Sequence, residues 1–430
     1  MVFQQGAVQD LQTLLQEWTR EHVRAESLEE AEAVAVEVSR IVGQTVAEEA
    51  LAATAQASYE GSSRPCGCGR KAKFMGYRGK GLVTVVGEVE VARAYYYCRH
   101  CRSGVVPWDA AQGLSERRYS PGVKALVVET ATRMPYGGGM EFLGRLTPLR
   151  IEESAAEWIV QEVGARARQA QAEEAEQYLS GLTPLPAGPP VERLYVTMDG
   201  SCAHIDGDWH EVKTGAVYEA QAREEGVDQS GPKQYVSAQE PAEDFTARLY
   251  VEALRAGVHR AEEVVVVGDG APWIWNHAEH HYPNATQIVD YWHACQHLWD
   301  LAKAQYGEGS PQGARWAREH CTRLKQEGPA KLRRALRRMK PRSPEAAERL
   351  RLERGYFTQN AARMRYPDFR ERGLMIGSGI AEAACKVVVG QRLKQAGMRW
   401  KHPGADHILA LRCLVLNQQH DHIRRFAKAA

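Results

Sequence analysis

The sequence predicts an α/β protein with a sheet of mixed strand direction, and three observations carry that prediction. Three β-rich stretches, RLYVTMDGSCAHI, WHEVKTGAVYEA and KQYVSAQE, follow one another at short intervals from residue 193 to 240. A helical stretch (AEDFTARLYVEALRAG) comes next, and then the four-valine run of EVVVVGDG. After a short helical piece, ATQIVDYWHACQHLWDLAKAQYG reads as a strand running into a helix. A three-strand meander followed by alternating helix and strand is the pattern of a mixed sheet covered by helices. At 430 residues, with 44% hydrophobic and 25% charged residues, the chain has room for two or three domains with cores of their own.

Ahead of that sheet, residues 1–60 place apolar side chains at helical spacing (Leu11, Leu14, Leu15, Trp18; Val34, Val38, Ile41, Val46) among many Glu and Ala, which predicts two amphipathic helices. Such faces pair with another subunit or pack on their own chain. Residues 61–112 contain two cysteine pairs, Cys66 and Cys68, then Cys98 and Cys101, around a glycine-turned hairpin built from LVTVV and VEVARAYYY. Thiolates at C-x-C and C-x2-C spacing on two tight knuckles, joined by a hairpin, predict a tetrahedral four-sulfur Zn2+ site that is structural because no position is left for water or substrate. The other five cysteines are scattered and read as small core residues.

Residues 113–179 carry three helical segments with a Gly-rich break before a short middle one, the rhythm of a helix-turn-helix unit. The Pro- and Gly-rich segment 180–190 reads as a linker, and the sheet domain occupies 191–430. Within it, about 300–370 is Arg-, Ala- and Leu-rich and helical, as an insertion would be. A last helical region starts at GSGIAEAACKVVVGQRLKQAGM.

The formal net charge of +1 hides a division along the chain. Residues 1–60 hold eleven acidic against three basic residues, a net of −8, which leaves +9 on the rest. Residues 61–110 hold nine Lys or Arg against three acids, and KLRRALRRMKPR (331–342) holds seven with no acid. A single basic run commonly serves solubility; repeated basic segments behind an acidic head favour a nucleic-acid partner. Around the cysteines, Arg70, Lys73, Arg78 and Lys80 are the candidates for phosphate contact. No run of 18 apolar residues and no signal-peptide pattern is present, so a cytoplasmic protein without a membrane role is expected.

Two aspartates end predicted strands: Asp199 in YVTMDGS closes the first and Asp269 in VVVVGDG the fourth. Taken singly, an Asp before Gly at a strand end is usually a turn former. The strand order, however, is that of a ribonuclease H-like core, in which the first and fourth strands are neighbours, so both carboxylates are expected at one spot. Glu382, in the first turn of the helix after a Gly-Ser-Gly turn, is the candidate third acid; by itself it reads as a helix-N-terminus charge. Three carboxylates at one sheet edge form a hard-oxygen site suited to two Mg2+ or Mn2+ ions, which clamp the oxygens of an in-line phosphoryl transfer.

The stretches MDGS at 198, HEVKTGAVY at 210, GDGAPWIW at 268, VDYWHACQHL at 289 and IGSGIAEAACKVVVGQRLKQAGMRW at 376 resemble DDE transposases of bacterial insertion sequences, specifically the ISKra group with its Mutator-like relatives. The resemblance spans about residues 198–400. It implies a ribonuclease H-like catalytic domain with Asp199, Asp269 and Glu382 as the metal-binding triad and a helical insertion before the Glu. Asp290 and His293 fall at the D-x2-H position of the Mutator-like relatives. His293 would orient the scissile phosphate or support the metal site, or else the pair is a helix cap with a buried imidazole. Trp273 and Trp275 would stack on an unpaired base or, more simply, pack in the core. Lys386, Arg392, Lys394 and Arg399 extend a basic edge behind Glu382. One departure is Ala383, where Ser is expected after the Glu.

The implied activity is binding of element ends, cleavage and strand transfer on double-stranded DNA by at least a dimer, in a bacterial, nucleoid-associated setting. The alternatives are a ribonuclease H-like nuclease without strand transfer, and a DNA-binding regulator that has lost the chemistry.

Overall fold

The computed structural model describes residues 5–114, 117–221 and 227–428. Residues 1–4, 115–116, 222–226 and 429–430, which fall in the expected N-terminal, helical and sheet regions, lie outside the described residues. The chain clusters into two compact units, one of residues 1–126, 140–152 and 427–430, the other of 127–139 and 153–426.

In the first unit the two expected amphipathic helices form as Gln5–His22 and Leu28–Ala57, the second capped by Ser27 accepting from the Glu30 N–H. A four-stranded antiparallel sheet follows: β1 (Ser63–Pro65), β2 (Lys71–Thr84), β3 (Gly87–Cys98) and β4 (Ser103–Val105), paired in that order. The hairpin turns at residues 85–86, two residues before the end expected from its valines, and β2 starts well upstream of Leu82. Val89 and Val91 alternate inward along β3 and meet Leu82, Trp108 and Ala55 of the helix Leu28–Ala57 in a small core. Trp108 sits there at 1% exposure because its indole N–H finds Thr54 Oγ1 at 3.1 Å.

The second unit is built on five strands: β5 (Val191–Ile205), β6 (Asp208–Gln221), β7 (Gln229–Ala238), β8 (Ala261–Gly268) and β9 (Thr286–Val289). Their order is β7-β6-β5-β8-β9. The meander β5–β6–β7 is antiparallel, while β8 runs parallel to β5 and β9 parallel to β8. The valines of β8 explain its place: Val265, Val266 and Val267 are all buried, as a strand covered on both faces requires. The helix Ala242–Arg255 packs on β6 and β7, and its Phe245 and Leu249 belong to the main core.

The helical insertion forms as Pro311–Glu327, Pro329–Arg338, Pro344–Gln359 and Tyr366–Glu371, each opening on a proline or with one in its first turn, where the missing N–H costs nothing. The three helices expected over 113–179 are Pro121–Ala131, Tyr136–Leu146 and Glu153–Leu179. They are divided between the two units, and the last packs on Ala242–Arg255 and His402–Leu416 within the second. No helix among the described residues is long and apolar enough to cross a membrane.

Candidate functional site

The four cysteines meet. Cys66 Sγ lies 3.5 Å from Cys101 Sγ, and Cys68 Sγ lies 3.7 Å from Cys98 Sγ. All four sulfurs fall within 4.8 Å of one another. A tetrahedron of thiolates at a Zn–S distance of about 2.3 Å has edges of about 3.8 Å, so the spacing fits a zinc ion. Both knuckles are shaped by the backbone. Gly69 takes φ +80° as its N–H turns back to the Cys66 carbonyl at 2.9 Å, and Arg102 sits at φ 56°. The Ser103 hydroxyl, followed by its backbone N–H, draws the Cys101 thiol down to about 6, towards the thiolate that binds metal.

Of the basic residues around this cluster, Arg70, Lys73 and Arg78 are exposed, Arg78 with its guanidinium 3.5 Å above the Tyr95 ring. Lys80 is not available as expected. It is half-buried and paired with Asp109 at 3.3 Å, where it shares that carboxylate with Arg93. Lys80 is held by the Asp109 carboxylate that the helix Pro107–Ala111 brings to it and to Arg93, a contact that a charge count along the sequence does not see.

In the second unit, the parallel register pairs Met198 with Gly268, the last residue of β8, so the residues that follow, Asp199 and Asp269, are neighbours. Asp199 does not close its strand as expected: β5 runs on to Ile205 because β6 keeps pairing with it as far as Asp208, so only Asp269 stands just past a strand end. The spot is the carboxyl end of the parallel β5–β8 pairing at the centre of the sheet, where open α/β sheets bind ligands. Both side chains are half-buried. Asp199 Oδ1 accepts the Gly200 N–H at 2.7 Å, and Asp269 Oδ1 accepts the Ala271 N–H at 2.8 Å. Burial holds the Asp199 carboxyl above its ordinary value, with the Asp269 charge adding to the rise and the His293 imidazole opposing it.

Asp290 follows β9, its N–H bonded to the Gly268 carbonyl at 2.7 Å. At 1% exposure its carboxylate is fully engaged. Oδ1 accepts the His293 N–H at 2.7 Å as a helix cap, and Oδ2 accepts the Ser378 N–H in a very short bond. The Tyr291 N–H donates to the Ile376 carbonyl at 2.9 Å. Asp290 therefore staples the turn before Glu382 to the strand ends. His293 is exposed, so the buried-imidazole reading does not hold.

Glu382 is exposed on the helix Gly379–Ala384, which packs on β5 and β6. The run continues as a π-helical stretch, Cys385–Gly390, of the kind that recurs at functional sites. Cys385, three residues on from Glu382, donates its thiol to Asp199 Oδ2 at 3.7 Å. That neighbour was not foreseen, since one scattered cysteine carries no spacing signal.

Common coordinating reach is not met. Among the described residues only the four cysteines bring three or more ligand atoms within 4.8 Å of one another, so the oxygens of Asp199, Asp269 and Glu382 do not all close on one point. Like charges resist closer approach, and Glu382 is held towards solvent.

One further expectation is corrected. Arg392 is 0% exposed, its guanidinium 4.7 Å from the Trp400 ring and 5.2 Å from that of Tyr136, with Nε donating to the Ala131 carbonyl at 2.7 Å. Burial lowers it to about 10, and it cannot meet DNA. Lys386, Lys394 and Arg399 are exposed. Trp273 and Trp275 belong to the core: Trp273 is partly buried with its ring 6.1 Å from Phe245, and Trp275 is 4% exposed. The exposed tryptophan beside the site is Trp292, at 68%, with its ring edge 3.4 Å from where a Cβ on Gly377 would lie.

The fold and its sites thus define a mixed α/β protein with a four-cysteine site suited to a metal such as zinc and, apart from it, two neighbouring aspartates at the centre of the five-stranded sheet. Residues 24–426 match the sequence profile of the Uncharacterised protein family UPF0236, and the chain belongs to that family. No curated protein matches it.

Proposed function

We propose that the chain is a DDE transposase that binds the ends of its element and catalyses DNA strand cleavage and strand transfer. The observation that carries this reading is the pairing of Met198 with Gly268, which sets Asp199 and Asp269 side by side at the centre of the sheet. The order β7-β6-β5-β8-β9, with its antiparallel meander and two parallel additions, supports reading the second unit as a ribonuclease H-like core. The helix bearing Glu382 lies on the same strands as Asp199.

An all-carboxylate donor set fits Mg2+ or Mn2+ and not a thiophilic metal. Asp199, Asp269 and Glu382 would hold two such ions, whose chemistry is to neutralise charge on the attacking and leaving oxygens at phosphorus. Catalytic contacts that are loose in an unliganded protein tighten with substrate bound, and Glu382 has that distance to close.

The chain's own side chains supply positioning. Asp290 fixes the turn before Glu382 against the strand ends. His293, exposed beside Asp199, reaches towards the scissile phosphate. Lys386, Lys394 and Arg399 offset phosphate charge. Trp292 offers an open indole face to an unpaired base. Hydrolysis that frees a 3′ hydroxyl and attack by that hydroxyl on target DNA are both in-line displacements, so one site serves both. The four-cysteine hairpin, with zinc bound, presents Arg70, Lys73 and Arg78 to double-stranded DNA ends. Joining two ends in one complex calls for at least a dimer.

The test is incubation with Mg2+ or Mn2+ and the DNA flanking the encoding gene, with cut positions mapped and pre-cut ends assayed for joined products. Asp199→Ala, Asp269→Ala and Glu382→Ala should each abolish cutting and leave DNA binding near normal. Cleavage without joined products would favour a nuclease, and an Asp269→Asn variant with every activity intact would favour a regulator that only binds.

A further inference from the structure

The helical insertion has no part in the reading above, yet one of its side chains touches the loop that carries Asp269. Tyr356, on the helix Pro344–Gln359, donates its hydroxyl to the Asp269 backbone carbonyl at 3.0 Å. Its ring fills the space over Gly270, where φ is +103° and a Cβ would come within 2.8 Å of a ring carbon. Glycine at 270 is thus required twice, by the left-handed backbone and by the tyrosine.

The ring is supported from its other side. His297 stacks on it with centroids 3.7 Å apart and planes 13° from parallel. His297 Nδ1 lies 2.7 Å from Glu353 Oε2, and the other Glu353 oxygen pairs with Arg349 Nε at 2.8 Å. Glu353 is 1% exposed, and a carboxylate that deep is costly unless it is paired. Burial also pushes the Tyr356 phenol well above its ordinary value, so it stays a hydrogen-bond donor throughout the working pH range.

We infer that Tyr356, braced by His297 and Glu353, is a positioning residue that fixes the Asp269 loop for divalent-cation binding. The inference rests on the catalytic reading of Asp269. A side chain that only filled space would tolerate Tyr356→Phe, which keeps the ring and removes one hydroxyl. A positioning residue would not, because the carbonyl it holds belongs to the ligand-bearing residue itself.

Mn2+ binding to the full chain without DNA, followed by electron paramagnetic resonance, separates these cases. Tyr356→Phe should weaken Mn2+ binding about tenfold, the scale for groups that support metal ligands. The Mn2+ concentration that half-saturates cleavage should rise in step. Metal-free Tm and DNA affinity should stay at the wild-type values. His297→Gln, which keeps a partner for Glu353 and loses the stacking, should shift Mn2+ binding in the same direction.

Wild-type Mn2+ affinity in Tyr356→Phe overturns the inference, as does a loss of affinity that appears only together with a fall in metal-free Tm in both variants. If Asp269→Asn abolishes Mn2+ binding while Tyr356→Phe binds it with wild-type affinity, the inference alone fails. If Asp269→Asn binds Mn2+ like the wild type, the catalytic reading fails with it.

Discussion

At Asp199 two demands compete. Folding favours an uncharged residue there, because the carboxyl is half-buried and faces the charge of Asp269. Cation binding favours the charge. The folded-state pKa is raised above the unfolded value, so the ionised form costs stability at any pH above that raised value. The cost vanishes below the unfolded value of about 4. Asp199→Asn should therefore raise the metal-free Tm at pH 7, with the gain shrinking to nothing as pH falls below about 4. An unchanged Tm at pH 7 in thermal denaturation would show that the site carries no such penalty.

The tryptophans make a second contrast. Trp292→Ala should change stability by less than about 0.5 kcal/mol, as exposed substitutions do, and weaken binding to DNA with unpaired bases at the cut by about 1–3 kcal/mol. Trp273→Ala, in the core, should cost about 3–5 kcal/mol of stability. Denaturant titration read beside fluorescence-anisotropy binding distinguishes them. From the sequence the two residue types look the same. Exposure follows from which helix face meets the sheet, and a short helix such as Pro272–His281 shows too few turns to reveal it.

Among the elements, those with a strong local signal were the legible ones. The β-rich runs of the β5–β7 meander, the unbroken valines of β8 and the cysteine pairs around their hairpin each carry a composition or a spacing that chemistry restricts. The π-helical stretch Cys385–Gly390 was not legible, because one extra residue per turn leaves no mark in hydropathy and follows only from packing. The hairpin also yields a sharp test. Cys98 is 1% exposed and joins both the four-cysteine cluster and the small core of Ala72, Ala94 and Tyr96. Cys98→Ser should lower zinc content, measured by atomic spectroscopy, from one ion per chain to none and open residues 61–105 to limited proteolysis. A strong chelator should do the same to the wild type, since a structural zinc site contributes its binding energy directly to folding. Zinc retained at one ion per chain in Cys98→Ser would remove this cluster as the ligand set.

Over the whole molecule, the charge division along the chain carries meaning only once burial has filtered it. A count of basic residues treats Lys80, Arg392 and Arg78 alike. The first is spent on Asp109 and the second is enclosed by Tyr136 and Trp400, while Arg78 faces solvent. The candidate acids show the same limit. Asp199 and Asp269 were legible because strand order brings them together, whereas the placing of Glu382 depends on a turn stapled by Asp290, a long-range contact that no local pattern encodes. The salt dependence of DNA binding tests the filtered set as a whole. Each phosphate contact contributes about 0.9 to the slope of log K against log salt. Arg70→Ala, Lys73→Ala and Arg78→Ala together should lower that slope by about 2.7 and weaken binding to all duplex sequences alike, measured from about 50 to 200 mM salt. Lys80→Ala, made alone, should leave the slope unchanged, since Asp109 keeps Arg93 as its partner and no phosphate contact is lost. If Lys80→Ala flattens the slope as much as any one of the other three, the lysine leaves Asp109 for phosphate, and burial is the wrong filter for this surface.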